Sequence, residues 1–501
     1  MLELLPGILT YLVISSLVWA SFTKPSLFAA GILLYDGLWL YRSCSFAARA
    51  VVAYRELQRW QAADWLGGAS RLPRWESVHH LVLIPTYGES VELLRSTLHH
   101  LVQQDFPRDR LAVVLGFEQR DRQAWERAET LLAEFGSSFG YLWASFHPIM
   151  PGEVAGKSSN EAWAARYAKR RLIDEAGVDI AFTTVTTCDA DSRLSPKYFS
   201  ALTYHFLTQS RYFIYQPALL FYANIWRVAV PSRVMNSLHS VWQLAKLTRT
   251  DKLMPQSTYS MSLALCAEAG YWDVDVIPED SHMFFKLLFR FGEQVRVVPL
   301  YLPVMADAVE GTSFLATVRC QFNQEKRWAW GVSDLPYVLK GWGTTAEPGS
   351  VSLGYRVLRY VEDHLNWPVG PFLLTFGGSA PAFFNHQFGI SQFGQAFPAV
   401  TSYIMTASLI FSVALWGIDW KLKPPAPDAR PLLRKIIGLA EWLLLPVTGL
   451  LLSALPGLVA HTRLLVGRYM EYNVTQKLAP VVVLDGTETA LAGNGSELAG
   501  A

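Results

Sequence analysis

Long apolar runs stand at the two ends of the chain and flank a more polar middle. Residues 4–20 carry no charge, and residues 27–41 are interrupted only by Asp36. Each run approaches the length of about 20 residues that a helix needs to cross a bilayer. We therefore predict two membrane crossings at this end, with Asp36 either a functional acid in the membrane or a residue that pairs in the bundle or lies near an interface.

Apolar runs return after residue 360. Residues 366–384 and 396–416 are predicted to be the third and fourth crossings. Residues 436–466 are too long for one upright helix and too short for two, and they contain Pro446 and Pro456. Because proline and glycine favour a break, we predict a short or re-entrant hairpin there.

Basic residues set the predicted orientation. Arginines follow the second run, and lysines and arginines follow the fourth, so both loops are expected in the cytoplasm. The chain is predicted to be a multi-pass protein of the cell (inner) membrane with a cytosolic middle unit. Residues 355–367 have apolar positions at helical spacing between charges, as do residues 49–65, and each predicts an amphipathic helix at the membrane surface.

The middle of the chain alternates buried strands with helices. Apolar runs at 80–85, 111–115 and 179–187 predict strands, and the stretches 91–104, 122–134 and 159–174 between them predict helices. Strands that alternate with helices predict a mostly parallel α/β sheet, in which ligands bind beyond the carboxyl ends of the strands. The predicted units are a membrane hairpin, the cytosolic domain, an interfacial helix, a second membrane region and a partly disordered cytosolic tail, at residues 1–42, 43–345, 346–366, 367–467 and 468–501.

Composition narrows the function classes. Hydrophobic residues make up 51% of the chain, which supports the membrane prediction, and the net charge of +1 gives no electrostatic footprint for nucleic acid. The four cysteines are scattered without a CxxC pair, which speaks against a zinc site or a disulfide framework.

Polar motifs follow the predicted strands. Asp189 and Asp191 come after the third strand, and two carboxylates two apart in extended chain face the same way. Hard oxygen ligands suit Mg²⁺ or Mn²⁺, although an acidic turn or cap is the alternative. Lys157 opens a helix, where it could bind phosphate or be an ordinary loop residue. Thr86 and Tyr87 lie in a loop that could hold a nucleobase, or whose following residues could simply cap the next helix.

Two further motifs lie downstream. Glu279 and Asp280 precede a helical run; they are either ordinary partners of the helix dipole or a source of the general base, with His282 as a further alternative. Arg327 and Trp328 end the segment QEKRW. An arginine can stabilise a departing diphosphate and a tryptophan can face a sugar ring, although such a pair is more often packing.

These motifs, in this order, resemble the membrane-bound family 2 glycosyltransferases, including the cellulose, chitin and hyaluronan synthase branch, over about residues 81–331. PTYGES resembles the uridine-contacting loop, GKSSN the diphosphate segment, DAD the metal-binding DxD, PED the motif with the catalytic base, and QEKRW matches QxxRW. The segment YNVTQK at 472–477 also resembles a family tail.

The resemblance implies a GT-A fold, a nucleoside-diphosphate sugar donor, a lipid or glycan acceptor, Mg²⁺ or Mn²⁺, and inversion at the anomeric carbon. It also implies site residues. Thr86, Tyr87 and Glu89 would contact the nucleobase, and Lys157 would contact the diphosphate. Asp189 and Asp191 would contact the diphosphate and the metal, and Asp280 would be the catalytic base. The diphosphate and the acceptor would be held by Gln324, Arg327 and Trp328.

The sequence departs from the family pattern in two places. Where many relatives carry an aspartate that grips uracil, this chain has Glu118, so Glu118 is the expected substitute. The segment 257–260 differs from the acceptor loop of synthases, which leaves both processive synthesis and a single transfer to a lipid open. A membrane scaffold or transporter with an inactive sugar-nucleotide domain is the alternative from another class.

Overall fold

The computed structural model describes residues 2–344, 351–426 and 431–470. The predicted tail segment at 472–477 and the end of the chain lie outside the described residues. The strands are β1 His79–Thr86, β2 Leu111–Glu118, β3 Tyr141–His147, β4 Thr183–Thr187, β5 Arg193–Leu194, β6 Phe213–Leu220, β7 Tyr259–Ser262 and β8 Arg296–Met305.

Helices surround this sheet and extend from it. The helices are α1 Leu5–Thr23, α2 Pro25–Ala62, α3 Trp65–Ala69, α4 Val91–Val102, α5 Ala124–Phe135, α6 Lys157–Lys169, α7 Tyr198–Thr208, α8 Val230–Lys246, α9 Leu263–Glu268, α10 Glu279–Phe291, α11 Phe314–Ala329, α12 Leu335–Thr344, α13 Val351–Phe376, α14 Ala380–Phe384, α15 His386–Ile390, α16 Gln392–Leu422, α17 Pro431–Glu441, α18 Leu445–Gly449 and α19 Leu455–Leu465.

The described strands form one mixed sheet in the order β3-β2-β1-β4-β7-β6-β8-β5. β1 pairs in parallel with β2 and β4, β2 with β3, and β6 with β8. β7 runs antiparallel between β4 and β6, and β5 runs antiparallel to β8. The predicted mostly parallel α/β class is confirmed, and β3, β5, β6, β7 and β8 are additions to the three predicted strands.

Strand periodicity places the core. In β1, Leu81 and Leu83 pack into the apolar cluster on one face, whereas Val82 and Ile84 pack into the cluster on the other. Successive side chains of a strand point to opposite faces, so a run that is apolar at every position must be covered by helices on both sides. This is why the short run HLVLIP predicts a central strand.

The three strands predicted from apolar runs are present as β1, β2 and β4, but β4 begins only at Thr183, because the first part of the run predicted at 179–187 forms a tight turn at Ile180–Phe182. The first helix is also confirmed: Ser90 caps α4, and its Oγ accepts a hydrogen bond from the backbone N–H of Leu93 at 3.2 Å. α6 begins at Lys157, two residues before the predicted start at residue 159, and it continues as a wider helical turn over Arg170–Glu175.

The apolar ends form long helices. Among the described residues, Leu2–Thr23, Gln392–Leu422 and Leu433–Leu465 are long and apolar enough to cross a membrane. The second predicted crossing and the amphipathic stretch after it are one continuous helix, α2, on which Asp36 is buried. The stretch 355–367 likewise continues into the next apolar run as α13.

The hairpin predicted for residues 436–466 is wrong, because residues 433–465 form one helical run. Pro446 and Pro456 stand in the first turns of α18 and α19, where the missing N–H is tolerated. A tight turn at Trp442–Leu444 and a wide turn at Leu450–Ala454 adjust the backbone between these helices.

Candidate active site

The first group of site residues lies where β1 ends. The carboxylate of Glu89 accepts hydrogen bonds from the hydroxyl of Thr86 at 2.8 Å and from the backbone N–H of Tyr87 at 2.5 Å. Gly88 has φ +82°, a left-handed conformation that glycine adopts without strain, and its N–H donates to Asp121 at 3.0 Å. The loop after β1 is therefore held in one shape by two acidic side chains.

Glu118 completes this group from the end of β2. It is buried and accepts a hydrogen bond from Nε of Arg120 at 2.6 Å. The guanidinium of Arg120 lies 4.1 Å from the centre of the Tyr87 ring. Because β1 and β2 are parallel, Thr86 and Glu118 reach the same edge of the sheet. The structure thus brings together the four residues predicted to meet the base.

Lys157 is the centre of the second group. Its ammonium lies 2.7 Å from the Asp189 carboxylate, 2.8 Å from Glu279 and 3.7 Å from Glu161, and it donates to the backbone carbonyl of Ser257 at 2.7 Å. One cation at the start of α6 therefore joins segments that come from four different parts of the chain.

Burial and charge oppose each other in this group. Burial lowers the pKa of Lys157, but the carboxylates of Asp189, Glu279 and Glu161 outweigh it and raise the pKa well above its ordinary value. Burial raises the pKa of Glu161 to about 8 and of Glu279 to about 7, with Lys157 acting in the opposite sense on both. The cluster therefore holds Lys157 charged.

The DAD motif lies in a turn, and the extended chain expected there is wrong. The backbone N–H of Ser192 donates to the carbonyl of Asp189 at 2.9 Å and closes the turn. Asp189 is partly exposed and accepts a hydrogen bond from the Ser257 hydroxyl in addition to its pair with Lys157. Asp191 is buried and accepts the backbone N–H of Asp307 at 2.9 Å.

These two carboxylates fit a divalent cation by their chemistry. Both supply hard oxygen atoms, and Asp189 is within reach of the solvent, with its side chain 32% exposed. Within residues 2–344, 351–426 and 431–470, no group of three or more His, Cys, Asp or Glu side chains is arranged to hold a metal ion. The pair would therefore need substrate or water oxygens to complete a coordination shell.

Asp280 stands at the start of α10, next to Glu279. Its carboxylate accepts hydrogen bonds from the backbone N–H of Ser257 at 3.2 Å and of Ser281 at 2.7 Å. Burial raises the pKa of Asp280, while Lys157, these N–H groups and Lys246 lower it. Ser257 thus contacts both Asp189 and Asp280.

The QxxRW residues form a third group on α11. The Trp328 ring packs 5.3 Å from the His239 ring and 5.6 Å from the Phe221 ring, and Gln324 is buried. A hydrogen bond of 2.8 Å from Asn236 to Gln321 also ties α11 to α8. Gln324, Arg327 and Trp328 therefore lie on a helix fixed against α8.

The comparison with known families decides the class. The family described as glycosyl transferase family group 2 matches residues 184–455, more than half of the chain. The chain belongs to this family. It is a nucleotide-sugar-dependent family 2 glycosyltransferase with a GT-A-like mixed sheet and flanking long apolar helices.

Solved structures with a similar arrangement are distant. A mannosyltransferase from Pyrobaculum calidifontis in complex with GDP-mannose and Mn²⁺ is 15% identical, with a TM-score of 0.42, and the match covers 75% of this chain and 99% of that chain. S. aureus TarS 1–349 in complex with UDP-GlcNAc is 11% identical, with a TM-score of 0.32, over 79% of this chain and 94% of that chain. No curated protein matches.

The site of this glycosyltransferase contains residues that the motifs did not single out. Glu161 pairs with Lys157 from the next turn of α6, and this four-residue spacing was a usable sequence signal. Ser257 has no such signal, since its role depends on a left-handed backbone with φ 58°. Arg120 and Asp121 follow β2 in a polar run that carries no pattern. Glu279, an alternative base in the sequence, pairs with Lys157 instead.

Proposed function

We propose that this glycosyltransferase transfers a sugar, with inversion, from a nucleoside-diphosphate sugar, with UDP the favoured nucleotide, to a lipid or glycan acceptor held at the membrane. The observation that carries the proposal is the junction at Ser257, which contacts both Asp189 and Asp280. The reaction would occur on the cytosolic side of the cell membrane, in the domain formed by residues 43–345, between the membrane units at 1–42 and 367–467.

The first group of residues is suited to the nucleoside. Thr86, Tyr87, Glu89 and Glu118 lie at the carboxyl edge of the sheet, where ligands of parallel sheets bind. The Tyr87 ring, held under the Arg120 guanidinium, offers a flat surface to a base. Glu118 takes the place of the usual aspartate, which makes the base selectivity a property to measure.

The second group is suited to the diphosphate. Lys157 is held charged at the start of a helix, and both the charge and the helix N-terminus favour phosphate oxygens. Asp189 and Asp191 would hold Mg²⁺ or Mn²⁺, and such an ion, when bound, would neutralise charge on the departing diphosphate. Entry of the diphosphate would compete with Asp189 and Glu279 for the ammonium of Lys157.

Asp280 is proposed as the general base. Its carboxylate takes the proton of the acceptor hydroxyl as that oxygen bonds to the anomeric carbon, while the bond from this carbon to the diphosphate oxygen breaks. Two backbone N–H groups fix the carboxylate in place. Attack on the face opposite to the leaving group gives inversion.

The acceptor would be held by α11. Trp328 offers a ring to a sugar, and Gln324 and Arg327 offer donors to the diphosphate or to the acceptor. The order of motifs through QxxRW, together with the flanking helices, is that of a synthase and favours repeated transfer. The different segment at 257–260, which contributes Ser257 to the site, favours a single transfer to a lipid.

The test is turnover of a panel of nucleotide sugars by the purified full chain in detergent, with Mn²⁺ and with a chelator, and with released nucleoside diphosphate as the readout. We expect one donor to be consumed only with the metal. Release without dependence on metal would overturn the metal assignment. Absence of release from every donor by folded protein would favour either a missing acceptor or a scaffold or transport role, and product length would separate single from repeated transfer.

A further inference from the structure

His282 lies between two carboxylates in the first turn of α10. Its Nε2 is 2.9 Å from Oδ2 of Asp273, and its Nδ1 is 2.5 Å from Oδ1 of Asp334. A neutral imidazole carries a single N–H and can donate to one of these carboxylates, whereas an imidazolium donates to both. With both carboxylates ionised, these two contacts require the imidazolium form, which bridges Asp273 and Asp334.

Each partner of His282 belongs to a segment that carries part of the site. The backbone carbonyl of Asp273 accepts the Ser158 hydroxyl at 2.5 Å, next to Lys157. Asp334 ends the turn Trp330–Asp334, which follows the QxxRW helix α11 directly. His282 itself is two residues after Asp280. The imidazolium thus ties the base, the diphosphate lysine and the end of α11 to one another.

The surroundings strengthen this bridge. Lys286, one turn along α10, donates to the other oxygen of Asp273 at 2.6 Å, and the Tyr337 ring on α12 stacks on His282 at 4.1 Å. Asp334 is buried, and among the described residues His282 is the only cation within ion-pair distance of it. Removal of the positive charge would leave a buried carboxylate uncompensated, which is a costly state.

We propose that His282, as an imidazolium bridging Asp273 and Asp334, is a positioning residue that holds Asp280 in register with Lys157 and with α11. This role rests on the proposed function, since it acts through Asp280. In this role, the histidine of the segment PEDSH is neither a general base nor an inert core residue.

The bridge gives the site a pH dependence at the alkaline side. Burial lowers the pKa of His282, but the hydrogen bonds that its ring donates to the Asp273 and Asp334 carboxylates, together with their charges, outweigh this and raise the pKa to about 9. Because the folded pKa lies above the ordinary value of about 6.5, the stability that the bridge contributes is fully present below about pH 6.5, and the bridge itself is lost as the pH rises through about 9. Tyr337, whose pKa is raised to about 12, stays neutral over this range.

The test compares His282→Gln, Asp334→Asn and the double variant in release of nucleoside diphosphate. We expect His282→Gln to lower kcat by about 10- to 100-fold with the donor KM unchanged, because a base moved by a fraction of an ångström loses reactive geometry. The double variant should recover part of this loss, since the uncompensated carboxylate is gone. Wild-type kcat should fall through about pH 9, and that limb should be absent from His282→Gln.

A matched control is His80→Gln. His80 is also buried, near the start of β1 and thus at the opposite end of that strand from Thr86, and its two nitrogens contact the hydroxyls of Thr184 on β4 and Thr203 on α7. This variant should melt at a lower temperature and keep the wild-type pH limb. The limb must also persist in Lys246→Met, because burial lowers the pKa of Lys246 to about 8, inside the same range.

Two results would overturn the proposal. One is a wild-type kcat and pH profile in His282→Gln, and the other is an equal loss of kcat in His80→Gln. The melting temperature, measured from pH 7 to 10, distinguishes a failure of the positioning role of His282 from a failure of the proposed function. A pH-dependent melting transition that needs His282, in a wild-type chain that consumes no nucleotide sugar, would overturn the proposed function and the positioning role with it.

Discussion

At the scale of single residues, the site is organised by charges that burial makes interdependent. Lys157 is shared by three carboxylates, and Asp280 is held by two backbone N–H groups. A buried charge without a partner is costly, so each member of the group constrains the next. Substitutions here should change catalysis in ways that depend on which atom is lost.

Asp280→Asn tests the base. The amide keeps the size of the side chain but cannot take a proton, so transfer should be abolished while the donor still binds with nearly wild-type affinity. Sugar transfer and donor binding by calorimetry measure the two properties separately. Transfer that survives in this variant would show that another group is the base.

Lys246→Met tests the electrostatics of the base. Lys246 is buried at the end of α8, with its ammonium 4.4 Å from the centre of the Trp242 ring, and its charge lowers the pKa of Asp280. Without that charge the pKa of Asp280 rises, so more of the base is protonated at a given acidic pH. The acidic limb of kcat should therefore move to higher pH in a pH–rate profile.

The matched control for this shift is Lys169→Met. Lys169 pairs with Asp174 at the protein surface, and its charge is screened by solvent. The control should leave the acidic limb in place. An unmoved limb in Lys246→Met would mean that this charge does not act on the base in the working enzyme.

At the scale of elements, the loop between α8 and β7 joins the two halves of the site. Ser257 adopts φ 58°, and in this conformation its N–H meets Asp280 while its hydroxyl meets Asp189. A left-handed conformation costs a non-glycine residue about 1–2 kcal/mol. Such a cost at a site contact is typical of backbone held for function.

Two variants at Ser257 separate the effect of the backbone conformation from the effect of the hydroxyl. Ser257→Ala keeps the unfavourable backbone and removes the hydroxyl, whereas Ser257→Gly removes both. We expect similar losses of turnover, since each lacks the contact with Asp189, but the glycine variant should be more stable by up to about 1 kcal/mol. Turnover and thermal melts measure the two effects, and equal stability would show that the loop is not strained.

At the scale of the whole molecule, buried polar contacts join the long apolar helices to the sheet domain. Asp419, near the end of α16, accepts the Tyr222 hydroxyl at 2.8 Å and the Lys423 ammonium at 2.6 Å. Arg233 on α8 pairs with Glu441 at the end of α17 at 3.0 Å. These contacts fix the helices against the segments that follow β6, beside α11.

Asp419→Ala tests this junction. The variant leaves Lys423 buried without its carboxylate and should cost about 3–5 kcal/mol, which is the range for breaking a buried ion pair. Thermal melting of the detergent-solubilised chain measures the loss. Glu268→Ala is the control, because its pair with Arg211 is exposed and should contribute little. A melting temperature equal to that of the control would show that the junction is not a stabilising contact.

The sequence by itself determined the features that repeat along the chain. Local periodicity predicts the strands at 80–85, 111–115 and 179–187, the helices that cover both faces of the sheet, and the apolar ends of the chain. This is possible because the strand and helix periods involve only neighbouring residues. The order of motifs was equally visible, and it led to the family that the comparison then showed. The prolines in the last apolar run led to the wrong prediction of a hairpin. The tight and wide helical turns at 442–454 accommodate them, so the helix continues.

Only the tertiary structure decided which charges meet. Lys157, Asp189 and Glu279 are far apart in sequence and become partners because α6 and α10 begin, and β4 ends, at the same edge of the sheet. The antiparallel strand β7 is four residues long and exists through its pairing with β4 and β6. His282 could be read as a base or a core residue until two carboxylates were seen on its two nitrogens. The charge states of buried groups depend on neighbours that are distant in sequence, so no local sequence pattern predicts those charge states.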